Sequence, residues 1–285
     1  MDRVWFQTDE AWDFLPAEHR ADLPAIDVRE EARGLRFITS ARRIESFADR
    51  YAAQFRPFTL YGSGDFHHLS GVWTRQFTEP FHLLSFDNHP DWDIRPPRWS
   101  CGAWINRALE NPRVQSVSIW GCGNFECNLP GRLLGNRAAA LAGRLRVQPW
   151  QQEGKRYPAW LHPVTAETWC ARFMAWVESI RGQKVYVTLD MDCLSADEVF
   201  TNWENGRFRC ADIIWALAEV RKQAQVLGGD LCGAWSLPRF ATKFQSFAGW
   251  FDHPALPSPP MSELAFRQTR AFDQLWPALT AAGAG

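Results

Sequence analysis

The residues best suited to chemistry stand together at 83–93, LLSFDNHPDWD. An apolar run, Leu83, Leu84 and Phe86, leads into Asp87, His89, Asp91 and Asp93. Side chains two apart in extended chain point the same way, so Asp87, His89 and Asp91 can converge from one strand end. Carboxylates gathered like this repel one another and are costly to desolvate, and a divalent cation offsets that cost. A second stretch, 184–192 (KVYVTLDMD), reads as a buried parallel strand of Val185, Tyr186, Val187 and Leu189. Asp190 and Asp192 sit at its carboxyl end on one face, where packing gives them no reason to be. A third stretch places a short buried strand at 58–61, a permissive turn at Gly62, Ser63 and Gly64, and then Asp65, His67 and His68. Open α/β sheets build their sites at the carboxyl ends of strands, which is where all three groups fall.

The remaining chain supplies the elements that must position them. Ile44, Phe47, Ala48, Tyr51 and Phe55 recur at helical spacing over 40–55, with Ser40 as N-cap. The pattern predicts further helices from 69, over 100–109, 165–180, 211–223 and 262–279, and strands at 115–120, 145–147 and 225–231. Residues 1–34 are mixed and polar, Pro16 and Pro24 break any long helix, and no element is assigned there. This alternation predicts a parallel sheet with helices on both faces, in one domain spanning 1–285. Gly121 and Gly123 let the backbone come close to something at the end of 115–120. Glu126 reads first as a loop cap and second as a residue serving the site. Pro90, Pro96 and Pro97 stiffen the loop after the first cluster, and Arg95 and Arg98 balance its acids or bind an anionic group.

Composition narrows the possibilities. The 285 residues suffice for a full core, and 46% hydrophobic with 22% charged residues is a globular balance. A net charge of −1 gives no broad field for nucleic acid or an acidic membrane. No apolar run approaches the roughly 20 residues of a membrane span, and the first residues lack a signal-peptide core. Seven scattered cysteines, an odd number without CxxC spacing, predict a reduced, cytoplasmic protein. The sixteen tryptophans read first as packing, and second as an aromatic-lined pocket or a subunit interface.

Taken together, the three stretches resemble those of the ureohydrolase family, the arginases and agmatinases. That family carries a glycine-turn histidine segment (here 62–68), a DxHxD segment (here Asp87, Asn88, His89, Pro90 and Asp91) and a DxD segment (here Asp190, Met191 and Asp192). The likeness runs from about residue 58 to 240. It implies a three-layer α/β/α sandwich around a mostly parallel sheet of about eight strands. It also implies two Mn²⁺ per chain, with Asp87 and Asp190 bridging. His89 and Asp192 complete one ion. Asp91 and either His67 or His68 complete the other, with His68 slightly favoured. Hard carboxylates with imidazoles suit manganese. The implied reaction is hydrolysis of a non-peptide C–N bond in a guanidino, amidino or amide substrate. A hydroxide between the ions attacks, and Asp91 moves the proton to the leaving amine. A small-molecule substrate and a homo-oligomer are implied too.

Two departures bear on specificity. The stretch SCGAWIN has no histidine where the family places one, and Gly233 stands where guanidine-binding members place a glutamate. Arginase activity itself is therefore not expected. Trp92, Asp93, Asp230 and Trp235, with Trp104, are the candidates for shaping a different substrate pocket. Two other readings stay open: a single-zinc deacylase of the same fold, suggested by the adjacent His67 and His68, and a non-catalytic metal-binding protein.

Overall fold

Strands that are apolar on both faces must be covered on both. The computed structural model, which describes residues 2–95, 99–256 and 258–281, shows how this chain does it. The main sheet comprises β1 (Arg3–Gln7), β2 (Ala25–Asp27), β3 (Phe58–Leu60), β4 (Phe81–Phe86), β5 (Val114–Trp120), β6 (Leu145–Gln148), β7 (Lys184–Asp190) and β8 (Gln225–Cys232). Its eight strands run in the order β2-β1-β3-β8-β7-β4-β5-β6, and every pairing is parallel. The helices used below are α1 (Ala41–Tyr51), α2 (Trp104–Glu110), α3 (Trp169–Ser179), α4 (Cys210–Gln223), α5 (Lys243–Asp252) and α6 (Met261–Thr280).

Alternation along the central strands sorts their side chains into two cores. Leu84, Phe86, Val185, Val187 and Leu189 pack with Phe173, Ile213 and Leu275 of α3, α4 and α6. Leu83 and Tyr186 point the other way, onto Phe47 of α1 and Ile105 of α2. The architecture is the three-layer α/β/α sandwich expected from the sequence. Among the described residues, no helix is long and apolar enough to cross a membrane.

The differences from expectation are local. β1 and β2 arise inside residues 1–34. Val4, Trp5 and Phe6 of β1 are buried on both faces, but β2 is an edge strand with exposed ends and so shows no apolar pattern. Residues 101–103 form a single tight turn before α2 begins at Trp104. α5 was not anticipated. Arg98, Pro96 and Pro97 lie outside the described residues.

Candidate metal centre

β3, β8, β7 and β4 are consecutive in the sheet, so their carboxyl ends deliver three chain segments to one place. Asp190 ends β7, and a tight turn follows in which Asp190 Oδ1 accepts the Asp192 N–H at 3.1 Å. The strand does not run on through Asp87, His89 and Asp91, contrary to the alternation argument. β4 stops at Phe86, and Asp91 is turned by a left-handed backbone (φ 46°) that aspartate tolerates better than most residues. The loop rather than the strand makes Asp87, His89 and Asp91 converge.

His67 stands at the centre. Its Nδ1 lies 3.0 Å from Asp91 Oδ2, 3.1 Å from Asp87 Oδ2 and 3.4 Å from Asp190 Oδ2. His89 Nδ1 faces Asp192 Oδ2 at 2.8 Å. Ligand atoms of His67, Asp87 and Asp91 lie within 4.8 Å of one another, as do those of Asp87, His89 and Asp192. Asp87 is common to both sets. A third set joins His67, Asp190 and Cys232. The sequence reading missed Cys232. Burial and the adjacent Asp190 hold its thiol well above the usual range, so Sγ serves as a donor toward Asp190 Oδ2 at 3.6 Å.

The electrostatics show the strain of this packing. Burial and the charge of Asp87 push Asp91 up to about 8. Burial and Asp190 push Asp192 well up. Asp87 goes the other way: burial opposes its charge, but hydrogen bonds from His67 and His89 hold it below the carboxylate range. Burial also opposes charge on the two histidines, yet their carboxylate neighbours raise both well above 6.5. Asp87 Oδ2 is buried, and His67 Nδ1 at 3.1 Å is the ion-pair contact beside it. An oxygen in that position fits a bound cation, and the donor set of carboxylates and imidazoles fits divalent manganese.

Both histidines are held from behind. His67 Nε2 meets Thr188 Oγ1 at 2.9 Å, and that hydroxyl donates to Asp230 Oδ1 at 2.7 Å. Tyr186 Oη and Ser70 Oγ also donate to Asp230, at 2.6 and 3.0 Å. His89 Nε2 meets Glu204 Oε2 at 3.3 Å. With Nε2 occupied outside, each ring turns Nδ1 inward, the arrangement that orients histidine ligands in metal sites.

The turn carrying His67 rests on Arg36, another residue the sequence reading did not single out. This fully buried guanidinium donates to Asp65 Oδ2 (2.6 Å), Ser63 Oγ (3.1 Å) and Ser236 Oγ (3.0 Å). Burial opposes the charge of Asp65, but Arg36 and His253 hold it well below the carboxylate range. Gly233 has φ +93°, and a Cβ there would lie 2.1 Å from Asp190 Oδ1. A side chain at 233 is therefore incompatible with Asp190 in its present place.

A cavity of about 400 Å³ opens over the cluster. Several expectations need correction against its lining. His68, slightly favoured over His67, does not reach it. Burial and the charge of His67 push His68 down to about 3, so it is a neutral packing residue. Trp92 is buried against Trp160 and Gly135, and Asp230 lies beneath the site holding Thr188. Trp235 is not part of the lining either, and Trp104 holds Asp91 through Nε1 at 2.6 Å. Asp93 does line the cavity, with its Oδ2 2.6 Å from Arg95 Nε. Glu126, read first as a loop cap, lines it as well, and burial pushes its carboxyl up to about 7. The aromatic wall comes from Phe37, Trp203, Phe247 and Phe251, which the sequence reading did not single out.

Fold and site together define an α/β/α protein with an acidic, histidine-containing centre at the carboxyl edge of its sheet. No protein-family model matches the chain. In sequence, 177 residues align at 27% identity with an uncharacterized protein of Thermotoga maritima, covering 61% of this chain and 57% of that one. The match thus spans little more than half of that relative. In structure, arginase from Bacillus subtilis superposes with a TM-score of 0.56 at 11% identity, over 99% of both chains. Formimidoylglutamase from the same species gives 0.55 at 11% identity, over 98% of this chain and 88% of that one. A formiminoglutamase variant from Trypanosoma cruzi with Mn²⁺ gives 0.52 at 14%, over 95% and 93%. The chain shares the fold of these solved structures.

Proposed function

We propose that the protein is a divergent ureohydrolase, a metal-dependent hydrolase of a non-peptide C–N bond in a guanidino, amidino or amide small molecule. The observation that carries this reading is the inward Nδ1 of both His67 and His89 within two carboxylate sets that share Asp87. Asp87 and Asp190 would help to hold two Mn²⁺. His67 with Asp91, and His89 with Asp192, would complete them. Bound there, the ions supply an activated water at neutral pH and stabilise charge on the attacked carbon's substituent.

The chain's own groups do the rest. Thr188 and Glu204 fix the tautomer and aim of the two imidazoles. Trp104 Nε1 holds Asp91 Oδ2, which leaves Oδ1 to take the proton from the attacking water and pass it to the leaving nitrogen. The absence of His68 from the lining removes the feature that suggested a single-zinc deacylase. A cytoplasmic location accords with seven free cysteines, six of them buried.

The test is manganese-dependent release of ammonia, urea or amine from a panel of guanidines, amidines and amides, by wild type and by Asp91→Asn. Turnover that needs manganese and falls at least 100-fold in the variant supports the reading. Manganese bound at two equivalents without turnover of any member favours the non-catalytic alternative.

A further inference from the structure

The hydrolase reading leaves the wall opposite the carboxylates unexplained. α5 turns residues 244, 247, 248 and 251 toward the cavity, the i, i+3, i+4, i+7 spacing of one helical face. Phe247 and Phe251 are 63% and 77% exposed, a large apolar area at the mouth of an acidic site. The helix is firmly seated. Thr242 and Gln245 form a capping box at its start, and Gln245 Nε2 donates to the carbonyls of Arg36 and Ile38 at 3.0 and 3.1 Å. Just past its end, His253 meets Asp65 Oδ1 at 2.6 Å and stacks on Trp203 with ring centres 4.3 Å apart. The aromatic face is therefore held in register with the carboxylate floor.

The charge of the cavity points to what that face covers. Seven carboxylates line it among the described residues; four are assigned to the metals and Asp93 holds the one guanidinium, Arg95, which leaves Asp252 and Glu126. Glu126 stands apart from the ligand cluster on the loop after β5, and its Oε2 is buried without a hydrogen-bond partner. An unsatisfied buried acceptor beside an apolar wall is complementary to a planar head rich in N–H groups on a flat apolar body.

We propose that the cavity is built for an aryl-bearing amidine or guanidine, its N–H head received by Glu126 and its ring covered by Phe247 and Phe251. The proposal rests on the hydrolase reading only for where the scissile carbon lies. The probes are benzamidine and acetamidine, titrated calorimetrically into the full chain with and without manganese. Benzamidine is expected to bind about tenfold tighter than acetamidine, the effect of burying one ring. Phe247→Ala with Phe251→Ala should remove most of that preference. Glu126→Gln should weaken both amidines by about tenfold.

Equal affinities, or a preference untouched by the double variant, would overturn the proposal. So would a double variant that changes sedimentation mass but not the ligand ratio, which would assign the aromatic face to self-association. An aryl preference in a protein that takes up no manganese would sink the hydrolase reading and keep this one. Two manganese per chain with no aryl preference would do the reverse.

Discussion

Thr188→Val isolates the link between the scaffold and His67. The two side chains have nearly the same shape, so the change leaves no cavity and removes one hydroxyl. That hydroxyl takes the His67 Nε2 hydrogen at 2.9 Å and gives its own to Asp230 at 2.7 Å. Without it, His67 loses the partner that keeps Nδ1 facing Asp87, Asp91 and Asp190. Losing such an outer partner costs about 10- to 100-fold in metal affinity, or roughly 1.4 to 2.8 kcal/mol. Asp230 keeps donors from Tyr186, Ser70 and Tyr61, so its loss is one hydrogen bond to a charged group, about 1.5–3 kcal/mol of folding stability. Manganese titration of wild type and variant, with thermal unfolding in parallel, reads both quantities. A variant that folds less stably but binds manganese as tightly as wild type would refute the claim that Thr188 orients His67.

Other outcomes follow from the same geometry. Asp65→Asn removes the 2.6 Å partner of the buried Arg36, which keeps Asp9 at 3.4 Å, and should cost about 1.5–3 kcal/mol in urea unfolding. Gly233→Ala places a Cβ against Asp190 at a backbone angle suited to glycine. It should cost about 1–3 kcal/mol of stability and should weaken manganese binding by moving Asp190. Glu126 sits near 7, neutral below that value and ionised above it. Benzamidine affinity should therefore rise as pH climbs from 6 to 8, and calorimetry on Glu126→Gln should show that rise greatly reduced.

The three ligand segments were legible because charged residues at the ends of apolar strands have few explanations. The strand cores at 58–60, 184–190 and 225–232 were legible for the same reason, as both of their faces are buried. The edge of the sheet was not, since β2 is solvent-facing and carries no periodicity. The choice between His67 and His68 turns on the backbone of a single helical turn, which neighbouring identical side chains cannot reveal. Trp92 and Glu126 were misjudged for one reason: whether a loop residue faces inward depends on contacts with distant chain, here Trp160 and Gly135 for one and the acidic cavity for the other. The aromatic face of α5 did have a signal, the 244, 247, 248, 251 spacing, but an exposed aromatic stripe acquires meaning only beside the cavity it borders.

The central claim is a shared-carboxylate site for two ions, and metal stoichiometry per chain tests it most directly. Protein purified with added manganese should carry two equivalents. Asp87→Ala should lose both, because Asp87 belongs to both ligand sets. One tightly bound zinc, or no retained metal with manganese supplied, would contradict the account, as would an Asp87→Ala protein that keeps two.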